Sequence, residues 1–132
     1  MSKEFSFSFK VYYEDTDAGG VVYYANYLKF LERARSDAII TSGITNTKLL
    51  NNFNVLIIVK SCNIEYLKPA KLEDNLIIYS KVTSNTKTSF VMKQTIKRQS
   101  EIISHAEVRL VCVNPKGKPV QIPNVIQNLI KS

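Results

Sequence analysis

Four runs of β-branched and apolar residues, separated by short polar turns, fill the chain from residue 55 to residue 113. They are VLIIVKSCNIEY (55–66), LIIYSKVT (76–83), TSFVMKQTIKR (88–98) and IISHAEVRLVCV (102–113). Runs of this length and composition read as strands. The connections at 84–87 and 99–101 are short enough for hairpins, so the four belong in one antiparallel sheet. A fifth strand comes from the other end of the chain: residues 5–13, FSFSFKVYY, put Phe5, Phe7, Phe9, Val11 and Tyr13 on one face with a period of two. Between these two parts, Tyr27, Phe30, Leu31, Ala34 and Ala38 recur at helical spacing, with Glu32, Arg33, Arg35 and Asp37 on the polar side. Asn26 or a neighbour would begin this helix, and Gly43 suits its C-terminal cap. The segment NPKGKP at 114–119 reads as a loop, and residues 124–131 as a short terminal helix. The expected fold is α+β: one long helix and a five-stranded antiparallel sheet, in the order β-α-β-β-β-β.

One helix covers one face of such a sheet, yet VLIIV is apolar on both of its faces. A second copy of the chain is the expected cover, which predicts a homo-oligomer and most simply a twofold dimer. With 132 residues, a single domain over 1–132 is expected. No apolar run approaches the roughly 18 residues of a membrane span, and the N-terminus lacks a continuous apolar stretch, so an intracellular protein without an integral membrane segment is expected. The formal charge of +7 allows an anionic partner. Its lysines are scattered, however, and no concentrated basic tail points to nucleic acid. Cys62 and Cys112 lack the paired spacing of a metal site or redox dithiol and read as buried strand thiols. The one histidine, His105, sits mid-strand and leaves little scope for zinc ligation or a Ser-His-Asp triad. Catalysis, if present, falls to carboxylates.

The segment that needs such an explanation is YYEDTDAGGVVYYANY, residues 12–27. Asp is common in turns and near helix N-termini, which is the bland account of Asp15 and Asp17. But residues two apart in an extended segment point the same way, and Gly19 and Gly20 let the backbone turn sharply and approach a ligand closely. The free N–H groups of the helix that follows, around Tyr23, would then meet the carboxylate across a carbonyl group, which they could polarise while the carboxylate attacks it or activates water.

The run VYYEDTDAGGVVYYANYLKFLERAR closely resembles the signature of the hotdog-fold acyl-CoA thioesterases of the bacterial YbgC type, related to 4-hydroxybenzoyl-CoA thioesterase. IEYLKPAKLED and AEVRLVCVNPKGKP extend the likeness over nearly the whole chain. The resemblance implies a helix wrapped by a curved antiparallel sheet, two subunits joined sheet edge to sheet edge in a homodimer or homotetramer, and an acyl-CoA substrate. It implies no metal, and no cofactor beyond coenzyme A as part of the substrate. Asp17 matches the family's catalytic carboxylate, nucleophile or general base. The Tyr23 backbone amide matches the donor that polarises the thioester carbonyl, and Tyr13 matches an aromatic lining the same site. Asp15 is assigned to ordering the loop, and the pair Glu65-Tyr66 to a structural strand end. Where YbgC-type enzymes commonly carry histidine, this chain has Tyr24, whose hydroxyl would donate a hydrogen bond or line the pocket rather than titrate near neutrality.

Gly19, Gly20 and Val21 are expected against the substrate. Basic side chains should hold the phosphates of coenzyme A, with Lys60, Lys71, Lys97 and Arg98 as the candidates. Through the same resemblance the chain is linked to the Tol-Pal envelope system and phospholipid synthesis, implying a cytoplasmic location near the inner membrane. The competing account is a noncatalytic hotdog protein that binds acyl-CoA or an acyl carrier protein. A hotdog dehydratase is a third option, less suited to a loop without histidine.

Overall fold

The computed structural model describes residues 3–131. Strand β1 (Glu4–Lys10) leads through a 3-10 turn at Tyr13–Asp15 to helix α1 (Tyr24–Thr41) and helix α2 (Asn46–Phe53). Strands β2 (Leu56–Tyr66), β3 (Asn75–Asn85), β4 (Ser89–Arg98) and β5 (Glu101–Val113) follow, and the chain closes with a 3-10 turn at Asn124–Ile126 and helix α3 (Gln127–Ile130). The five strands form one antiparallel sheet in the order β1-β3-β4-β5-β2.

The expected α+β layout is the observed one, with three local differences. Strand β1 ends at Lys10 instead of continuing to residue 13. Val11 still pairs with the loop after β2, but the Asp15 carboxylate accepts the Tyr12 N–H at 2.9 Å and turns the chain, so Tyr13 leaves the strand and is 81% exposed. Residues 46–53, unassigned from the sequence, form α2: the Thr45 hydroxyl accepts the Lys48 N–H, and Asn54 closes the helix with φ of 61°. Cys112 is buried as expected, and burial alone pushes its thiol up to about 11. Cys62 is exposed: it lies on β2, an edge strand paired on one side only, with β5.

Helix α1 buries Tyr27, Phe30, Leu31, Ala34, Ala38 and Ile39, and Phe30 packs against Phe9 of β1 with the rings tilted and their centroids 4.6 Å apart. Its C-terminus follows the sequence: Ser42 caps it, and Gly43 takes φ of 121° just beyond. At the centre of the sheet the buried Gln94 fixes the helix in place. Its amide donates to the Leu31 carbonyl (3.1 Å) and to Ser80 Oγ (3.0 Å), while its oxygen accepts from Arg35 (3.1 Å). A buried amide with partners on both ends orients its neighbours, since any one left unpaired costs about 1–3 kcal/mol. Extra residues at Lys60, Thr83 and Ile103 shift the strand register, and such bulges bend and twist a sheet. No helix among the described residues is long and apolar enough to cross a membrane.

Candidate active site

Two loops meet at the N-terminus of α1. The first is the acid-glycine segment, which folds back on itself: Thr16 bridges Val22, the Asp17 N–H donates to the Val21 carbonyl (3.0 Å), and the Gly20 N–H donates to the Asp17 carbonyl (3.0 Å). Gly20 carries φ of 77°, open to glycine at no steric cost. The second is the β2–β3 loop, residues 67–74. The carbonyl of Ile103, the extra residue in β5, accepts both the Leu67 and Lys68 N–H groups, so the bulge anchors the start of this loop. Val21 then bridges Lys71, the Val22 N–H donates to the Ala70 carbonyl (2.8 Å), and the Leu72 N–H donates to the Gly20 carbonyl (3.1 Å).

The loops and the helix start enclose a cavity of about 310 Å³, lined by Asp17, Val21 to Tyr24, Tyr27 and Tyr66 to Pro69. Its aromatic side is continuous: Tyr66 lies 5.0 Å from Tyr24 and 5.1 Å from Tyr27, centroid to centroid. Burial pushes the Tyr27 hydroxyl up, opposed by the Ala70 N–H that it accepts at 3.1 Å. The Tyr66 hydroxyl is raised too, chiefly by burial. Both rings stay neutral at physiological pH, so they can donate protons in hydrogen bonds but carry no charge.

Asp17 Oδ1 accepts the Gly19 N–H at 2.9 Å. Oδ2 has no hydrogen-bond partner among the described residues, and the carboxylate enters no ion pair there. The Tyr23 amide, expected as the carbonyl-polarising donor, is occupied: it donates to the Asp15 carbonyl at 3.2 Å. Asn26 also donates to that carbonyl through its side chain, at 2.8 Å. The N–H groups of Tyr24 and Ala25, the first two residues of α1, have no partner among the described residues. They are the free donors of the helix start. The cavity is thus lined by a residue with an unpaired carboxylate oxygen, Asp17, by one with an unpaired amide, Tyr24, and by an aromatic wall, a set able to work on an electrophilic carbonyl.

Residues 11–130 match the thioesterase-like superfamily. The chain belongs to this superfamily. It is 40% identical to the acyl-CoA thioesterase YbgC of Haemophilus influenzae, over 96% of this chain and 94% of that one. It is 41% identical to the acyl-CoA thioester hydrolase YbgC of Escherichia coli, over 92% of each. The crystal structure of a probable thioesterase from Bartonella henselae superposes with a TM-score of 0.88 at 31% identity, covering 92% of this chain and all of that one. The helix and five-stranded antiparallel sheet are those of the hotdog fold that such thioesterases share.

Of the residues singled out in the sequence, Asp17, Val21, Tyr23 and Tyr24 line the cavity, with Gly19 and Gly20 in the turn behind Asp17. Tyr13 does not line it; with Tyr12 it borders a separate surface hollow beside Lys10 and Leu72. Among the basic candidates, Lys60 is the bulged residue of β2, Lys71 lies in the bridge to Val21, and Lys97 places its ammonium 5.5 Å from the Tyr79 ring. None of the three lines the cavity. Arg98 does not line the cavity either, and its Nε, Nη1 and Nη2 donate within the protein, to Glu101, Asp74 and the Pro69 carbonyl. Tyr27, Leu67, Lys68 and Pro69 were not singled out in the sequence as wall residues. The segment IEYLKPA was the available signal for the last three, and no periodicity reveals that this loop folds back over the helix start.

Proposed function

We propose that this chain hydrolyses acyl-CoA thioesters to a carboxylic acid and free coenzyme A, with Asp17 as nucleophile or general base. The activity is the one named for its relatives at 40% and 41% identity. The observation that carries the role of Asp17 is its half-satisfied carboxylate: one oxygen is fixed by the Gly19 N–H and the other is unpaired among the described residues, in a side chain that lines the cavity. The thioester carbonyl oxygen accepts from the Tyr24 N–H, with the Ala25 N–H and the positive end of α1 behind it, and the charge that develops there is stabilised. Attack by the carboxylate on the carbonyl carbon expels the thiolate and leaves an anhydride that water opens. As a base, the same carboxylate takes a proton from the water that attacks. Both routes give one acid and one thiol.

The tyrosine rings hold the acyl group and exclude bulk water, and exposed lysines outside the cavity, Lys71 nearest the turn among them, meet the phosphates of coenzyme A. The working form is a homodimer or homotetramer built on the β2 edge. Acyl-CoA is the expected thioester donor, with an acylated carrier protein as the alternative. The test is thiol release from short, long and aromatic acyl-CoAs by the parent and by Asp17→Asn. The variant should fold and assemble like the parent and lose turnover; hydrolysis at the parental rate would remove Asp17 from the mechanism. Tight binding without release by the parent across the whole panel would favour a noncatalytic carrier.

A further inference from the structure

We infer that Arg98 is a positioning residue for this site: with Asp74 and Glu101 it clamps the Pro69–Ala70 peptide and so sets the distance between the cavity wall and Asp17. The inference rests on the thioesterase reading of the Asp17 cavity.

Arg98 ends β4 and does not line the cavity. Its Nε and Nη2 both donate to Glu101 Oε1, at 3.1 and 2.7 Å, and its Nη1 donates to Asp74 Oδ2 at 2.7 Å and to the Pro69 carbonyl at 3.1 Å. Lys68, a wall residue, donates to the other Glu101 oxygen at 2.6 Å. Asp74 Oδ2 also accepts the Lys71 N–H at 2.8 Å. The decisive contact is the one to Pro69, whose carbonyl belongs to the same peptide unit as the Ala70 N–H. That unit is gripped on both edges, by the guanidinium on its oxygen and by the Tyr27 hydroxyl of α1 on its nitrogen. The next carbonyl, of Ala70, accepts the Val22 N–H, and Val21 beside it accepts the Asp17 N–H. Turning the peptide would shift Tyr27 and Val22 together, and both line the cavity.

Two carboxylates and a carbonyl disposed around one planar group suit the fixed fork of arginine, which the single ammonium of lysine does not reproduce. Ion pairs this close to the surface contribute little to stability. Orientation is the larger effect, since a misplacement on the order of 1 Å costs about 100-fold in rate.

Arg98→Gln and Arg98→Lys are compared with the parent on one acyl group carried by coenzyme A and by pantetheine, which has no phosphate. Amide exchange at Ala70 and Val22 is followed without substrate. The expected result for both variants is faster exchange at the two amides and a kcat loss of about 10- to 100-fold, equal for the two substrates, with KM within about twofold. Loss confined to the coenzyme A substrate and expressed in KM would make Arg98 a phosphate ligand and overturn the proposal. Full rescue of kcat by lysine, or unchanged exchange, would overturn it as well. If Arg98→Gln does not fold, Asp74→Asn removes one arm of the clamp and should show the same pattern at smaller amplitude. A parent inactive on both substrates would sink the thioesterase reading, while the exchange rates would still report whether Arg98 holds the peptide.

Discussion

At position 24 the side chain and the backbone serve separate ends. The ring leans on Tyr66, and the N–H is one of two donors at the start of α1 that have no partner among the described residues. Substitutions can part the two. Proline is well accepted as the first residue of a helix, and Tyr23, at φ −69° and ψ 141°, already has the extended backbone that must precede it. Tyr24→Ala removes only the ring, whereas Tyr24→Pro removes the donor as well. Relative to Tyr24→Ala, Tyr24→Pro should lower kcat by about 10²- to 10³-fold, the usual loss of one oxyanion donor, with the fold retained by circular dichroism. Equal rates for the two would shift the donor role to Ala25. Tyr24→His restores the residue common in YbgC-type chains and keeps the amide, so it should alter the pH profile near neutrality; an unchanged profile would show that the side chain does not govern the chemistry. Gly20 was legible in the sequence because its φ of 77° is a property of the turn itself. The engagement of the Tyr23 amide was not, because its acceptor is the carbonyl of Asp15, eight residues back, and only the folded turn brings the two together.

Elements were legible in proportion to how local their causes are. Helix α1 follows from the spacing of its buried residues and stops just before Gly43. The hairpins after β3 and β4 follow from short polar turns, with Gln99 at φ of 56° closing the second. Helix α2, with one buried residue, Leu49, carries too little periodicity to be seen, and its Thr45 cap is visible only once the helix is known. The β2–β3 loop reads as a connection and proves to be a wall of the site, held by side chains of β4 and β5. Its clamp carries a pH dependence. Lys68, and after it Arg98, hold the Glu101 carboxyl below its ordinary value. A depressed carboxylate contributes fully above its unfolded-state pKa and loses that contribution as pH falls through the folded value. Protection of the Ala70 and Val22 amides should therefore be constant from about pH 5.5 to 7 and decline below about pH 4. Protection that falls on approaching pH 7 would have the wrong sign.

For the whole molecule, the outstanding feature is the uncovered edge. Strand β2 closes one side of the sheet, with Leu56, Ile58 and Val59 at 36%, 44% and 48% exposure. An edge this long and apolar is a template for pairing with another strand. In analytical ultracentrifugation the parent should sediment as a dimer or larger assembly at micromolar concentration, and Ile58→Lys with Val59→Lys should shift it to monomer. A parent that remains monomeric over that range would leave the edge uncovered and remove the oligomer from the functional picture. The sequence by itself determined the strands, the long helix, the antiparallel sheet and the carboxylate before the glycine turn, because each depends on periodicity or on backbone preferences that act within a few residues. Only the tertiary structure decided which amides remain free, that Arg98 is bound within the protein, that Cys62 is exposed and which loop walls the cavity. Those outcomes depend on which groups from distant parts of the chain meet, since a polar group's role is fixed by whether folding gives it a partner.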